Sequence, residues 1–133
     1  KISKIILENN YDALILIGNE EKIKELKKLD INKENKVKII ETKGMLEVAE
    51  LIKGADLVVS PDTSIVHLAR GFNKKMICIY RKELGKEDKN SILWGPNSEK
   101  AKVIFVEEKI KDGEEININC IDLNKFKKEM ERI

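Results

Sequence analysis

Short apolar runs without a charged residue recur along this 133-residue chain and limit the folds open to it. Residues 13–17, 57–59 and 76–80 are built almost entirely from aliphatic and other apolar side chains. Runs of this length are typical of strands buried on both faces, as in parallel sheets. Further strands are predicted at residues 37–40 and 103–106. Because parallel neighbours need helical crossovers, the chain predicts an α/β fold, a Rossmann-like parallel sheet with helices on both faces.

The segments between the strands carry apolar residues at helical spacing. Residues 2–8 predict a short helix, closed by the pair Asn9-Asn10, which tolerates the left-handed conformation. Apolar residues at helical spacing predict three internal helices, of which the one from Met45 to Ile52 shows the full i, i+3, i+4 and i+7 pattern, and Asp122 is suited to cap a last helix. The inward-facing residues expected from this spacing are, in chain order, Ile23, Leu26 and Leu29; Met45, Val48, Ala49 and Ile52; Ile65, Leu68, Ala69 and Phe72; and Leu123, Phe126, Met130 and Ile133.

Composition excludes several classes of function. Basic and acidic residues number 26 and 24, and a net charge of +2 offers no concentrated basic face for nucleic acid. With one histidine and two distant cysteines, Cys78 and Cys120, neither a structural metal site nor a disulfide framework is expected. No secretion signal, apolar span or lipidation motif is recognisable, so a soluble, cytoplasmic setting is the default expectation.

The junction at residues 60–67 is the best candidate for a ligand site. A buried strand is expected to end at Val59, with Pro61 stopping its sheet pairing, and a helix to begin at about Ser64. The unpaired amides and the dipole of a helix start favour a phosphate group. Thr63 and His67, four residues apart, would lie on one side of the first turns.

Two interpretations of this junction stay open on the residues alone. Asp62 would repel a phosphate, so its expected role is to accept amides as a cap or to brace the loop. An Asp-Thr-Ser cluster is also a common capping sequence that binds no ligand, and a single histidine is more often structural than functional.

A family resemblance adds weight to the ligand interpretation. Residues 55–69 read A-D-L-V-V-S-P-D-T-S-I-V-H-L-A, which resembles the signature A-D-L-V-V-G-x-D-T/S-G-P-M-H-L-A of family 9 glycosyltransferases of the heptosyltransferase type. The similarity continues on both sides of this signature. Upstream it includes residues 45–52, and downstream it includes residues 76–80, the loop Trp94-Gly95-Pro96 and residues 120–133. The resemblance implies a GT-B fold, with residues 1–133 as one domain, the truncated C-terminal nucleotide-sugar-binding half of a larger two-domain protein.

The same resemblance implies a chemistry for individual residues. Thr63 and Ser64 would contact the pyrophosphate of a nucleotide-sugar donor, with His67 beside it and Asp62 in the loop. Glu20 or Glu21 would contact the ribose, and the adenine would lie near Thr42-Lys43-Gly44. Simpler interpretations compete: acidic residues also suit the first turn of a helix, and Lys43 is also suited to plain solvent exposure.

Better-known members of this family transfer heptose from ADP-heptose to the inner core of lipopolysaccharide without a metal. The resemblance therefore implies a metal-independent reaction, a glycolipid acceptor bound by an N-terminal domain, and a cytoplasmic location at the inner face of the cell membrane. The general base would lie on that other domain. The chain alone is accordingly predicted to be inactive.

Departures from the family pattern leave alternatives open. Ser64 replaces a glycine, and Arg81-Lys82-Glu83 replaces a usual Gly-Pro-Thr. One alternative is a non-catalytic Rossmann-like binding or interaction module, and another is a GT-B transferase that uses a different nucleotide sugar. The chain also begins with Lys1 and lacks the family's first strand with its Lys-x-Trp-Pro motif. A gap is therefore expected between the strands at residues 13–17 and 57–59.

Overall fold

The structure, a computed structural model, describes residues 1–81, 95–106 and 120–133. Strands and helices alternate along the described chain. Their order is α1 (Ile2–Glu8), β1 (Leu14–Gly18), α2 (Glu20–Leu26), a 3-10 turn (Asp30–Lys33), β2 (Val37–Glu41), α3 (Met45–Gly54), β3 (Leu57–Pro61), α4 (Ser64–Gly71), β4 (Lys75–Arg81), β5 (Ala101–Val106) and α5 (Leu123–Glu131). Trp94, Lys82 and Glu83, which entered the sequence comparison, lie outside the described residues.

The predicted α/β class is confirmed, because every described strand pair is parallel and the strands are flanked by helices. Strands β1 and β2 form one sheet, and β3, β4 and β5 form another in that order. The chain divides into two compact units, Lys1–Leu51 and Ile52–Ile133. The assignment of residues 1–133 to one domain stays a prediction.

The core of the second unit is centred on β4. All five residues from Met76 to Tyr80 are buried, because β3 and β5 pair with β4 on its two edges. Val66 and Ala69 of α4 are buried in the same unit, and Phe126 and Met130 of α5 are buried as predicted. Burial of each large apolar side chain contributes about 1.5–3 kcal/mol, so this cluster fixes the positions of the strand ends.

Strand β1 has a different environment although its sequence is equally apolar. None of its residues is fully buried, and Ile15 is 43% exposed. The amide of Leu14 donates to the carbonyl of Lys36, so alternate residues from Leu14 face β2, and the backbone groups of Ile15 and Ile17 point to the other edge.

The expectation that Pro61 stops sheet pairing is wrong. Strand β3 continues to Pro61, which lies in register with Ile79, and the amide of Asp62 still donates to the Ile79 carbonyl at 3.1 Å. Because alternate residues face β4, the Pro61 nitrogen points away from that strand. Its missing N–H therefore removes no ladder hydrogen bond, the condition under which an edge strand tolerates proline.

The observed helix boundaries agree with the predicted ones better than the observed buried residues of the helices agree with the predicted ones. Asn10 adopts a φ of 61° after α1, and the Asp122 side chain accepts from two amides at the start of α5, as predicted. Phe72, however, is 38% exposed, because α4 ends at Gly71 and leaves it as the C-cap, while Val66 is buried instead. Two other expected core positions are also exposed: Met45 at the start of α3, and Leu29 after the end of α2.

Candidate functional site

The carboxyl end of β3 passes directly into α4, and two residues form the connection. Thr63 is the N-cap of α4: it has extended backbone angles, and its Oγ1 accepts from the amide of Ile65 at 3.3 Å. Ser64 is the first helical residue, so its amide has no carbonyl one turn earlier in the helix. The predicted helix start at Ser64 is thereby confirmed, and the cap is Thr63 rather than Asp62.

A buried serine forms a hydrogen bond with the side chain of this cap residue. Ser60 is 3% exposed, and its hydroxyl lies 3.0 Å from the hydroxyl of Thr63, which is itself exposed. Ser60 was not among the site residues predicted from the sequence. The available signal was a single hydroxyl at the end of an otherwise apolar strand, since a buried hydroxyl needs a hydrogen-bond partner.

The remaining predicted residues of this junction are open to solvent. Asp62, Ser64 and His67 are all exposed, and His67 lies on α4 one turn after Thr63. The backbone amide of Asp62 belongs to the sheet through its bond to Ile79, which leaves the carboxylate outside the ladder. The structure therefore brings Asp62, Thr63, Ser64 and His67 together at one strand end.

The pKa of Cys78 is shifted by its position next to this junction, where it is the register partner of Ser60 on β4. Burial and, to a smaller extent, the nearby negative charge of Asp62 together raise the pKa of the Cys78 thiol to about 12. A thiol with such a pKa stays protonated at neutral pH and is a poor nucleophile. Cys78 therefore contributes packing rather than chemistry to this end of the sheet.

Glu20, Glu21 and Lys43 lie in the first unit and are all exposed. Glu20 and Glu21 form the first turn of α2, and Glu20 makes a surface ion pair with Lys24 at 2.7 Å. Lys43 follows β2, and its amide donates to the Glu47 carboxylate at 2.8 Å. The role of these three side chains in ligand binding stays a prediction.

The end of β1 and the loop after β2 lie on the same edge of their sheet. The strands are parallel, and the amide of Thr42 donates to the carbonyl of Gly18 at 3.0 Å. Beside this loop is an open groove of about 530 Å³ with apolar walls and an acidic rim. It is lined by Ile40, Thr42, Leu46, Glu47, Glu50 and Leu51.

Neither a cluster of metal ligands nor a membrane-spanning helix occurs among the residues that the structure describes. In residues 1–81, 95–106 and 120–133, no three His, Cys, Asp or Glu side chains come together in a way that could hold a metal ion. In the same ranges, no helix combines the length and the apolar character needed to cross a membrane.

Parallel strands with a helix that starts at the carboxyl end of one of them define a Rossmann-like α/β protein. The family model of glycosyltransferase family 9 (heptosyltransferase) matches residues 1–121. This chain belongs to that family.

One solved structure supports the fold assignment. The chain is similar to the E. coli ADP-heptose lipopolysaccharide heptosyltransferase II, with a TM-score of 0.60 and 21% sequence identity. The match covers 98% of this chain and 40% of the E. coli chain, so the present chain spans well under half of that protein's length. The predicted Rossmann-like α/β fold class is confirmed by this likeness to a protein with the GT-B fold. The search of curated proteins finds no match.

Proposed function

We propose that this chain is the nucleotide-sugar-binding portion of a glycosyltransferase whose donor is ADP-heptose or a closely similar sugar nucleotide. The transfer would serve the synthesis of lipopolysaccharide core or another cell-surface glycan. The observation that carries the proposal is the β3–α4 junction, where an exposed helix start with two hydroxyl-bearing residues follows a half-buried strand in a family 9 chain.

The donor pyrophosphate would bind at the start of α4. The amide of Ser64 belongs to the first helical turn and has no carbonyl partner within the helix, and Thr63 and Ser64 are both exposed residues that carry a hydroxyl beside it. The exposed imidazole of His67 adds a further donor one turn along. These groups would stabilise the negative charge that develops on the departing nucleoside diphosphate, which is the largest electrostatic demand of sugar transfer.

The nucleoside would bind to the first unit of the chain. A carboxylate from Glu20 or Glu21 would accept hydrogen bonds from ribose hydroxyls, as acidic residues do after the first strands of Rossmann folds. The adenine would lie beside Thr42-Lys43-Gly44, where the groove offers the apolar walls of Ile40 and Leu46. Acidic side chains at the rim of that groove are suited to accept from an exocyclic amine.

The catalytic base and the acceptor would belong to another part of the protein. An inverting transfer needs a base that removes the proton of the acceptor hydroxyl, and the residues assigned above bind the donor instead. We therefore propose that a glycolipid acceptor binds a further domain, that the reaction proceeds without a metal, and that the enzyme works in the cytoplasm at the inner face of the membrane. This chain alone should not transfer sugar.

Titration with ADP, UDP and GDP while recording amide chemical shifts tests this function. We expect ADP to bind saturably, with the largest shifts at Thr63, Ser64 and His67, and adenosine to leave those three amides unchanged. A preference for UDP or GDP would replace ADP-heptose by a different nucleotide sugar. The absence of binding by all three would contradict the proposal and favour a non-catalytic binding module.

A further inference from the structure

The hydrogen bond between Ser60 and Thr63 can run in either direction, because both partners are hydroxyls at 3.0 Å. A threonine hydroxyl has one proton to donate and two lone pairs to accept. At Thr63 one lone pair is used, since the amide of Ile65 donates to Oγ1. The direction of the Ser60 bond therefore decides whether the Thr63 proton is available to anything outside the protein.

The two directions present opposite groups to a ligand. If Thr63 donates to Ser60, the outward side of Oγ1 is a lone pair. If Ser60 donates to Thr63, both lone pairs of Oγ1 are occupied and the Thr63 proton points to solvent. Phosphate oxygens only accept hydrogen bonds, so they bind the second arrangement and are repelled by the first.

We infer that Ser60 is a positioning residue that donates to Thr63 and so directs the Thr63 hydroxyl proton at the donor phosphate. This inference rests on the proposed function, because it concerns the same anion site at the start of α4. Ser60 is 3% exposed, so it would act on the ligand only through Thr63. A chain of hydroxyls that donate in one direction also polarises its last member, which strengthens the outward bond.

The position of Ser60 in the sheet suits it to fix the direction in which the Thr63 hydroxyl donates. Ser60 belongs to β3 and lies opposite Cys78 in the register with the buried strand β4, so its backbone is fixed by the sheet. Thr63 is exposed and would otherwise exchange between side-chain rotamers. Capping of Ile65 requires only that Oγ1 accept, whereas anion binding requires a fixed donor direction. The two roles can therefore be separated by experiment.

The test is a double-mutant cycle on ADP affinity, measured by calorimetry with Ser60→Ala, Thr63→Val and the double variant. Loss of one neutral hydrogen bond predicts that Ser60→Ala weakens ADP binding by about threefold to tenfold. The double variant should bind no more weakly than Thr63→Val, because Ser60 has no effect without the Thr63 hydroxyl. Binding of adenosine, which has no phosphate, should be unchanged in Ser60→Ala.

Two further variants keep the result interpretable if a buried hydroxyl matters for stability. Ser60→Cys has nearly the volume of serine but donates weakly, so it should also weaken ADP binding while the unfolding temperature stays close to that of the parent. Ser98→Ala removes another hydroxyl that accepts a turn amide, from Lys100, and should leave ADP affinity unchanged.

Each outcome decides one of the two claims. Additive losses in the double variant, or an ADP affinity in Ser60→Ala equal to that of the parent, would overturn the role of Ser60 while leaving the anion site in place. Failure of the parent chain to bind any of the three nucleotides would overturn the proposed function and this inference with it. A non-additive loss confined to ADP supports both.

Discussion

Gly18 at the end of β1 and Lys22 in the first turns of α2 approach each other so closely that a Cβ on Gly18 would lie 2.9 Å from the Lys22 Cβ. The Lys22 Cβ is fixed to the helix backbone and cannot swing away as the end of a long side chain can. The short connection between β1 and α2, capped by Asn19, thus depends on the absence of a side chain at Gly18.

Replacement of Gly18 by alanine should therefore destabilise the chain. Overpacking of this kind costs about 1–3 kcal/mol, because α2 must shift away from β1. The free energy of unfolding from urea titration gives the measurement. Gly71→Ala is the matched control: its new Cβ meets nothing within 4 Å, and alanine favours the helix end, so stability should stay equal or rise. Equal stability of the two variants would contradict the close contact.

A negative charge at Ser64 should change binding and stability in opposite directions. Ser64 is the first residue of α4, where an acidic side chain interacts favourably with the helix dipole by about 0.3–1 kcal/mol. The same charge repels a phosphate at that helix start. Ser64→Asp should therefore raise the unfolding temperature and abolish measurable ADP binding, whereas the neutral Ser64→Asn should retain part of the binding. Undiminished ADP affinity in Ser64→Asp would place the phosphate elsewhere.

Local patterns in the sequence were sufficient to predict the strands and helices, but not which of their apolar residues are buried. The runs at β1, β3 and β4 are apolar enough to predict strands, and helix starts at Ser64 and Asp122 follow from capping chemistry. The exposure of Ile15 or Met45 depends on which segments cover them, which spacing along one element does not contain.

The candidate site shows the same division between local and non-local information. The helix start at Ser64 was predictable, because a cap and its helix are neighbours in sequence, although the cap is Thr63 and not Asp62. Whether the strand tolerates Pro61 depends on whether the Pro61 nitrogen faces β4. The Ser60–Thr63 bond depends on the direction of the chain between β3 and α4. Both are relations between backbone directions, and residue type alone does not specify them.

Glu21 rather than Glu20 should be the carboxylate that contributes to nucleotide binding. Glu20 already pairs with Lys24 at 2.7 Å, and no ion pair of Glu21 occurs among the described residues. Glu21→Gln should weaken ADP binding more than Glu20→Gln, and the loss should disappear for inorganic pyrophosphate, which has no ribose. Because exposed ion pairs contribute little, neither change should alter stability appreciably. A larger loss from Glu20→Gln would reverse the assignment.

The buried thiol of Cys78 should make the chain less stable at high pH. Its pKa is raised from 9.0 to about 12, chiefly by burial and secondly by Asp62, so the folded state holds its proton more tightly than the unfolded state does. The stabilising effect is complete below pH 9 and is lost as the pH rises toward 12, because the unfolded thiol ionises first. The free energy of unfolding should therefore fall over this range by more in the parent than in Cys78→Ala. Asp62→Asn, which removes only the smaller contribution, should reduce the fall slightly. Parallel pH profiles for the parent and Cys78→Ala would show that the thiol is not held in its neutral form by the fold.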